Sequence, residues 1–143
     1  MKLLKIIKYP DKKLFLKSKQ VMDMDNNTKE LIEDMKFTML SNKGVGIAAP
    51  QVGENIRIII VMEKNNAITM INPEIETYGQ MTADTEGCLS CPGVNKKIER
   101  YNTIEVSYYD EEMQQKKRFE TGMISRIIQH EIDHLNGKMI IEI

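Results

Sequence analysis

Gly122-Met123-Ile124-Ser125-Arg126-Ile127-Ile128-Gln129-His130-Glu131-Ile132-Asp133-His134-Leu135-Asn136-Gly137 is the stretch on which the reading of this chain turns. Ile124, Ile127, Ile128, Ile132 and Leu135 recur at helical spacing, so the segment reads as a helix with one buried stripe. Gly137 supplies the stop. The only two histidines of the chain, His130 and His134, stand four apart in it. Residues so spaced share a face, one turn above the other. Two imidazoles in that position can hold one divalent cation, with Glu131 beside them to handle a proton. The competing reading is a solvated, charge-laced helix end.

The flanking sequence sets the fold class. Thr103 to Tyr109 alternates with period two, as a half-exposed strand does. Asp110 to Gln115 is polar and reads as a hairpin connection to a strand near Lys117–Glu120. Ile56 to Met62 is a β-rich run and reads as a buried strand. Asn65-Asn66 reads as a turn, and Ala67 to Ile71 as a strand stopped by Asn72-Pro73. Glu74 to Tyr78 reads as a further strand, Gly79 to Thr85 as a loop, and Lys138 to Ile143 as a closing strand. Near the start, Asn27 with Glu30 fits a capping box, and the spacing of Leu31, Met35 and Met39 predicts a helix over 28–41. Strands, then a helix, with no βαβ alternation, give α+β.

A catalytic metal site needs a third protein ligand and one open position. Leu135 to Ile143 holds no histidine, and Glu142 is its only side-chain carboxylate, so the ligand is expected upstream. The soft candidates are Cys88 and Cys91, in Glu86-Gly87-Cys88-Leu89-Ser90-Cys91-Pro92-Gly93. One thiolate with two imidazoles is a known tetrahedral catalytic set. The same CxxC reads alternatively as a redox pair or as two inert thiols. The redox reading wants the pair opening a helix, which Pro92-Gly93 breaks, and a four-cysteine zinc knuckle lacks its other two cysteines.

A third segment is Gly44-Val45-Gly46-Ile47-Ala48-Ala49-Pro50-Gln51. Gly44 is explained by stopping the preceding helix. That leaves Gly46, two alanines, and a glutamine in an otherwise apolar stretch. Small residues let a backbone approach closely. A glutamine on such a loop can aim an amide N–H at a developing oxyanion.

Together the three segments resemble the peptide deformylases, whose motifs read G-φ-G-φ-A-A-x-Q, E-G-C-L-S and H-E-x-D-H, with φ apolar. Gly44 to Gln51, Glu86 to Ser90 and His130 to His134 match them in the same order. The likeness runs from Lys8-Tyr9-Pro10-Asp11 to Leu135-Asn136-Gly137, and one catalytic domain over 1–143 is expected.

The resemblance implies a central metal-binding helix packed against antiparallel sheets. The implied activity is removal of the formyl group from the formyl-methionine of newly made polypeptides, releasing formate. It implies Cys88, His130 and His134 as metal ligands, Glu131 as the proton-transfer group, and Gln51 with the Leu89 backbone N–H as oxyanion donors. Gly46 would supply backbone contact to the substrate, beside Glu86 and Gly87. Val45, Met123, the Arg126 stem and Ile127 would wall a methionine pocket. Asp133 is expected to orient a metal-bound histidine, and Glu86 to pair with Arg100. The implied metal is Fe²⁺ in the cell, with Zn²⁺, Ni²⁺ or Co²⁺ in isolated protein.

Two positions depart from many members: Cys91 stands in place of an apolar residue and Asn95 in place of an arginine. A C-terminal helix that many bacterial members use for ribosome docking is not expected here, so ribosome contact would use another route. Another metal-dependent amidase or peptidase would share His130, Glu131 and His134 but has no reason to carry Cys88 and Gln51. A non-catalytic relative would be expected to have lost Glu131 or Gln51.

Composition excludes other classes. No run approaches the ~18 apolar residues of a membrane helix, and the lysine-interrupted start is no signal-peptide core. A cytoplasmic protein with reduced thiols is expected. A formal net charge of −1 argues against nucleic-acid binding driven by bulk charge, and no sequence-specific nucleic-acid partner is expected.

Overall fold

A computed structural model describes the chain from Met1 to Ile143. Five strands form one antiparallel sheet in chain order: β1 (Gly46–Ala48), β2 (Ile58–Glu63), β3 (Asn66–Glu86), β4 (Lys96–Tyr109) and β5 (Gln115–Thr121). Helix α1 (Asn26–Ser41) packs on one face of the sheet and α2 (Gly122–Leu135) on the other. The α+β class read from the sequence holds, with the strands joined in a single sheet.

β2 shows why the sequence folds this way. Ile58 and Ile60 join Ile32, Met35 and Met39 of α1 in one apolar cluster. Ile59 and Val61 join Ile127, Ile128, Ile132 and Leu135 of α2 in another. Alternate side chains of a strand point to opposite faces, so a strand covered on both sides must be apolar throughout. Burying each such side chain contributes about 1.5–3 kcal/mol.

Several local expectations are corrected. The cap of α1 is Asp25, not Asn27: its carboxylate accepts from Thr28 N–H at 2.8 Å. A charged carboxylate also suits the positive end of the helix dipole. Asn72-Pro73 does not stop a strand. The ladder shifts between Ile71 and Glu74 and then continues. Asn72 adopts φ 51, and its side chain both accepts from and donates to the Val21 backbone at 2.8 Å. Pro73 sits in the irregularity, where no ladder N–H is needed.

Gly79 to Thr85 is strand rather than loop, because its polar residues pair with β4 from Met81↔Tyr101 to Glu86↔Lys96. Gly46 to Ala48, read as loop, is a short edge strand on β2, followed by a 3-10 turn over Ala49–Val52. Lys138 to Ile143 forms no strand. Ile140–Glu142 is a 3-10 turn, held by burial of Met139 and Ile140.

The end of α2 is fixed by Gly137, at φ 75. A Cβ there would stand 2.4 Å from the Phe15 carbonyl oxygen, so no other residue fits. Lys138 N–H closes the helix by donating to Asp133 O at 2.9 Å.

Candidate metal centre and active site

α2 presents His130, Glu131 and His134 toward the loop that follows β3. In that loop Cys91 N–H donates to Cys88 O at 3.0 Å, a tight turn that fixes Cys88. Cys88 Sγ lies 3.3 Å from His134 Nε2, and one donor atom from each of Cys88, His130 and His134 falls within 4.8 Å of the others. In a tetrahedral site with bonds of roughly 2.1 and 2.3 Å, neighbouring ligand atoms lie about 3.6 Å apart. The Cys88–His134 spacing is close to that value, and the three donors lie near enough to share one transition metal. Cys91, the other candidate, packs with Leu14 and Met139 and adds no donor atom to this group.

Glu86, the last residue of β3, organises the surroundings. Its carboxylate takes His130 Nδ1 at 2.9 Å, Arg100 Nη2 at 2.9 Å, Arg100 Nε at 3.0 Å and Arg126 Nη1 at 2.7 Å. The Glu86–Arg100 pair expected from the sequence is thus buried and two-pronged, not an exposed ion pair. Asp133 does not reach a histidine. It holds Arg100 at 2.5 Å, so it acts on the cluster through the guanidinium. Arg126, whose stem is expected in the pocket wall, also donates from its guanidinium to Glu86, Ile98 O and Thr82 O.

These contacts set the charge states. Burial works against the Glu86 carboxylate, but His130, Arg100 and Arg126 outweigh it and hold Glu86 down at about 2. Burial, then the charges of His130 and Arg100, lowers His134 well below the usual imidazole range, leaving a neutral ring fit to ligate. His130 is raised: burial opposes its proton, but Glu131, Cys88 and Glu86 attract it more strongly. Surroundings that draw a proton to this spot draw a metal cation by the same field. Burial pushes Glu131 up to about 7. Glu131 Oε1 and His134 Nδ1 are buried with no hydrogen-bond partner.

Gly46 explains itself here. A Cβ on it would stand 2.5 Å from Glu131 Oε2 and 2.9 Å from Ile127 Cγ2. Only glycine brings the β1 backbone against that carboxylate. Gln51 is oriented as well. Its Oε1 accepts from Ala48 N–H at 2.9 Å, which turns Nε2 toward Ser90 Oγ at 3.2 Å and Cys88 Sγ at 3.6 Å. Ser90 is fully buried, and the sequence reading gave it no role. Its one signal was a hydroxyl two residues from a candidate ligand.

A cavity of about 390 Å³ opens over this group. Every ligand, catalytic and substrate-binding residue expected from the sequence lines it except His134, which is buried, while Asp133 and Arg100 stand outside it. Val45 and Met123 flank its mouth, 57% and 62% exposed, and Ile127 lies deeper.

The family model for polypeptide deformylase matches residues 3–143. The chain belongs to the polypeptide deformylase family. A peptide deformylase of Dictyoglomus thermophilum is 44% identical over 137 residues, spanning 96% of this chain and 90% of that protein. The crystal structure of peptide deformylase from Thermotoga maritima shares 38% identity at a TM-score of 0.97, covering 99% of this chain and 97% of that one. A Met-Ala-Ser-bound crystal structure of class I type b peptide deformylase from Acinetobacter baumannii shares 35% identity at a TM-score of 0.96, covering 100% of both chains. Polypeptide deformylases are metal-dependent enzymes that remove the N-formyl group from nascent peptides, and this chain is an enzyme of that kind.

Proposed function

We propose that the whole chain is one catalytic domain that cleaves the formyl group from N-formylmethionyl nascent peptides at the cavity over Cys88, His130 and His134. The observation that carries this is the convergence of those three donor atoms within 4.8 Å, beside Glu131. A metal held by them supplies Lewis acidity and brings the pKa of a water down toward neutrality. Fe²⁺ is the ion proposed for the cell, with Zn²⁺, Ni²⁺ or Co²⁺ accepted in isolated protein, since a thiolate and two imidazoles suit all four.

The remaining steps belong to the chain's own residues. Glu131, buried and proton-affine, accepts the proton of the attacking water and delivers it to the departing amine. Gln51 Nε2, already held in orientation through Oε1, donates to the oxyanion together with the Leu89 backbone N–H. Gly46 offers its backbone to the peptide, next to Glu86 and Gly87. Val45, Met123, Ile127 and the Arg126 stem receive the methionine side chain. Glu86 holds His130 in one tautomer, and Arg100, itself held by Asp133, holds Glu86.

No helix is long and apolar enough to cross a membrane. The cytoplasm, where nascent chains emerge, is the proposed compartment, with contact to the ribosome as part of the proposal. The test is formate release from formyl-Met-Ala, with acetyl-Met-Ala as control. Release from the formyl peptide alone is expected. Release of acetate at a comparable kcat/KM overturns the reading in favour of a general amidase.

A further inference from the structure

We infer that Lys43 selects substrates by charge, favouring peptides with acidic residues at their third and fourth positions. The inference rests on the reading above, which places the formyl group between Glu131 and the three proposed ligands.

Lys43 follows the cap of α1. Its own N–H donates to Leu40 O at 3.1 Å, and the next N–H, of Gly44, donates to Met39 O at 2.9 Å. This doubly bonded helix end puts Lys43 at φ 56, where glycine or asparagine is the usual residue. The backbone of Lys43 is therefore fixed, and Lys43 lines the cavity that also holds Cys88, His130 and Glu131.

Exposure decides which way a bound peptide leaves. Beyond Gly46 in one direction lie Ile47, Ala48 and Ala49, all fully buried. In the other lie Val45 and Lys43, both exposed. A peptide whose formyl carbon meets Glu131 beside Gly46 must run out past Val45 toward Lys43. A chain spans at most about 3.3–3.6 Å per residue, so Lys43, three residues from Gly46, stands no more than roughly 10 Å along that path. From there the long, flexible lysine side chain can reach the third and fourth residues of the substrate.

Nothing else on the path cancels this charge. Of the carboxylates on the same cavity, Glu86 is committed to Arg100, Arg126 and His130, and Glu131 is buried against Gly46. Asn95, on the same cavity wall as the Cys88 loop, is neutral. Lys43 makes no ion pair. An incoming carboxylate meets an unneutralised ammonium, and an incoming lysine meets a like charge. For a solvent-facing pair the effect is modest, about two- to fivefold in affinity.

The experiment compares formyl-Met-Ala-X-X amides, with X as Glu, Gln or Lys, on wild type, Lys43→Gln and Lys43→Glu. Wild type should rank them Glu above Gln above Lys in kcat/KM, with the difference in KM. Salt at about 0.5 M, where charges are screened within about 4 Å, should compress the ranking. Lys43→Gln should level it and Lys43→Glu reverse it. If Lys43→Glu keeps the wild-type order, charge selection by Lys43 is overturned while the deformylase reading stands. If wild type releases no formate from formyl-Met-Ala amide, the deformylase reading itself falls.

Discussion

Glu86 Oε1 lies 2.9 Å from His130 Nδ1, and the same carboxylate is paired with two buried guanidiniums. One residue at the end of β3 thus couples the orientation of a proposed metal ligand to the charge balance of the core.

Glu86→Gln should therefore fail twice. It weakens the acceptor that orients His130, and loss of such a partner typically costs about 10–100-fold in metal affinity. It also leaves Arg126 with no carboxylate and Arg100 with Asp133 alone, and breaking a buried pair in this way costs about 3–5 kcal/mol. Competition for Zn²⁺ against a chelator reads the first effect and urea unfolding the second. Wild-type values in both measurements would remove Glu86 from this role.

Glu131 separates proton transfer from metal binding. It lies beside the three donor atoms without being one of them, and burial already raises its pKa to about 7. Glu131→Gln should keep one metal per chain while turnover falls by about 10²–10⁴-fold. Elemental analysis alongside formate release checks this. A fully metallated Glu131→Gln protein with near wild-type turnover would refute the assignment.

The site was more legible in the sequence than the sheet was. Histidines four apart can only share a helix face, so local geometry alone joins His130 to His134. Glu86, Cys88 and Gln51 were joined to them by motif resemblance, and the structure brings them together through strand pairing that no local pattern encodes. The same blindness cost the second half of β3. Gly79 to Thr85 is polar and exposed, so nothing in its own residues announces a strand; its partner β4 holds it in place. The reach of Asp133 to Arg100 rather than to a histidine was hidden for a related reason, since Arg100 arrives from β4. Ile140 and Ile141 misled in the opposite direction. Their strand propensity yields to the burial of Met139 and Ile140.

Away from the site, Glu111 ties the β4–β5 connection to α1. Its carboxylate takes Lys36 Nζ and Thr69 Oγ1, each at 2.7 Å. Burial raises its pKa, but Lys36 and Thr69 prevail and hold it below the ordinary 4.5. A carboxyl whose folded pKa is lowered adds stability above its unfolded pKa and loses it as pH falls through the folded value. Glu111→Gln should therefore be less stable than wild type at pH 7, with the gap narrowing below about pH 4.5 and closing further into acid. Urea midpoints at pH 7 and pH 3 test this. A gap that stays constant or widens in acid would show that the carboxylate contributes no such pH-dependent stability.

Gly46 gives the most local prediction. A Cβ there meets Glu131 Oε2 at 2.5 Å and Ile127 Cγ2 at 2.9 Å. Neither neighbour has free space: Ile127 is packed in the α2 core and Glu131 is 4% exposed. Gly46→Ala should therefore push the carboxylate off its line to the reacting carbon. A displacement near 1 Å at a reacting centre can cost about 10²-fold. The proposed ligands lie on α2 and the β3–β4 loop, so metal content should be retained. The same crowding applies from the substrate side. An acetyl group adds its methyl where the Gly46 backbone already stands against Glu131, so acetyl-Met peptides should be inert with wild type. One methylene in the side-chain pocket is worth only about 1–3 kcal/mol, so formyl-Leu peptides should lose far less. Formate and acetate release across these three substrates, with metal content measured on Gly46→Ala, decides the matter. A fully active Gly46→Ala enzyme would mean that neither the glycine nor its contact with Glu131 shapes the reaction.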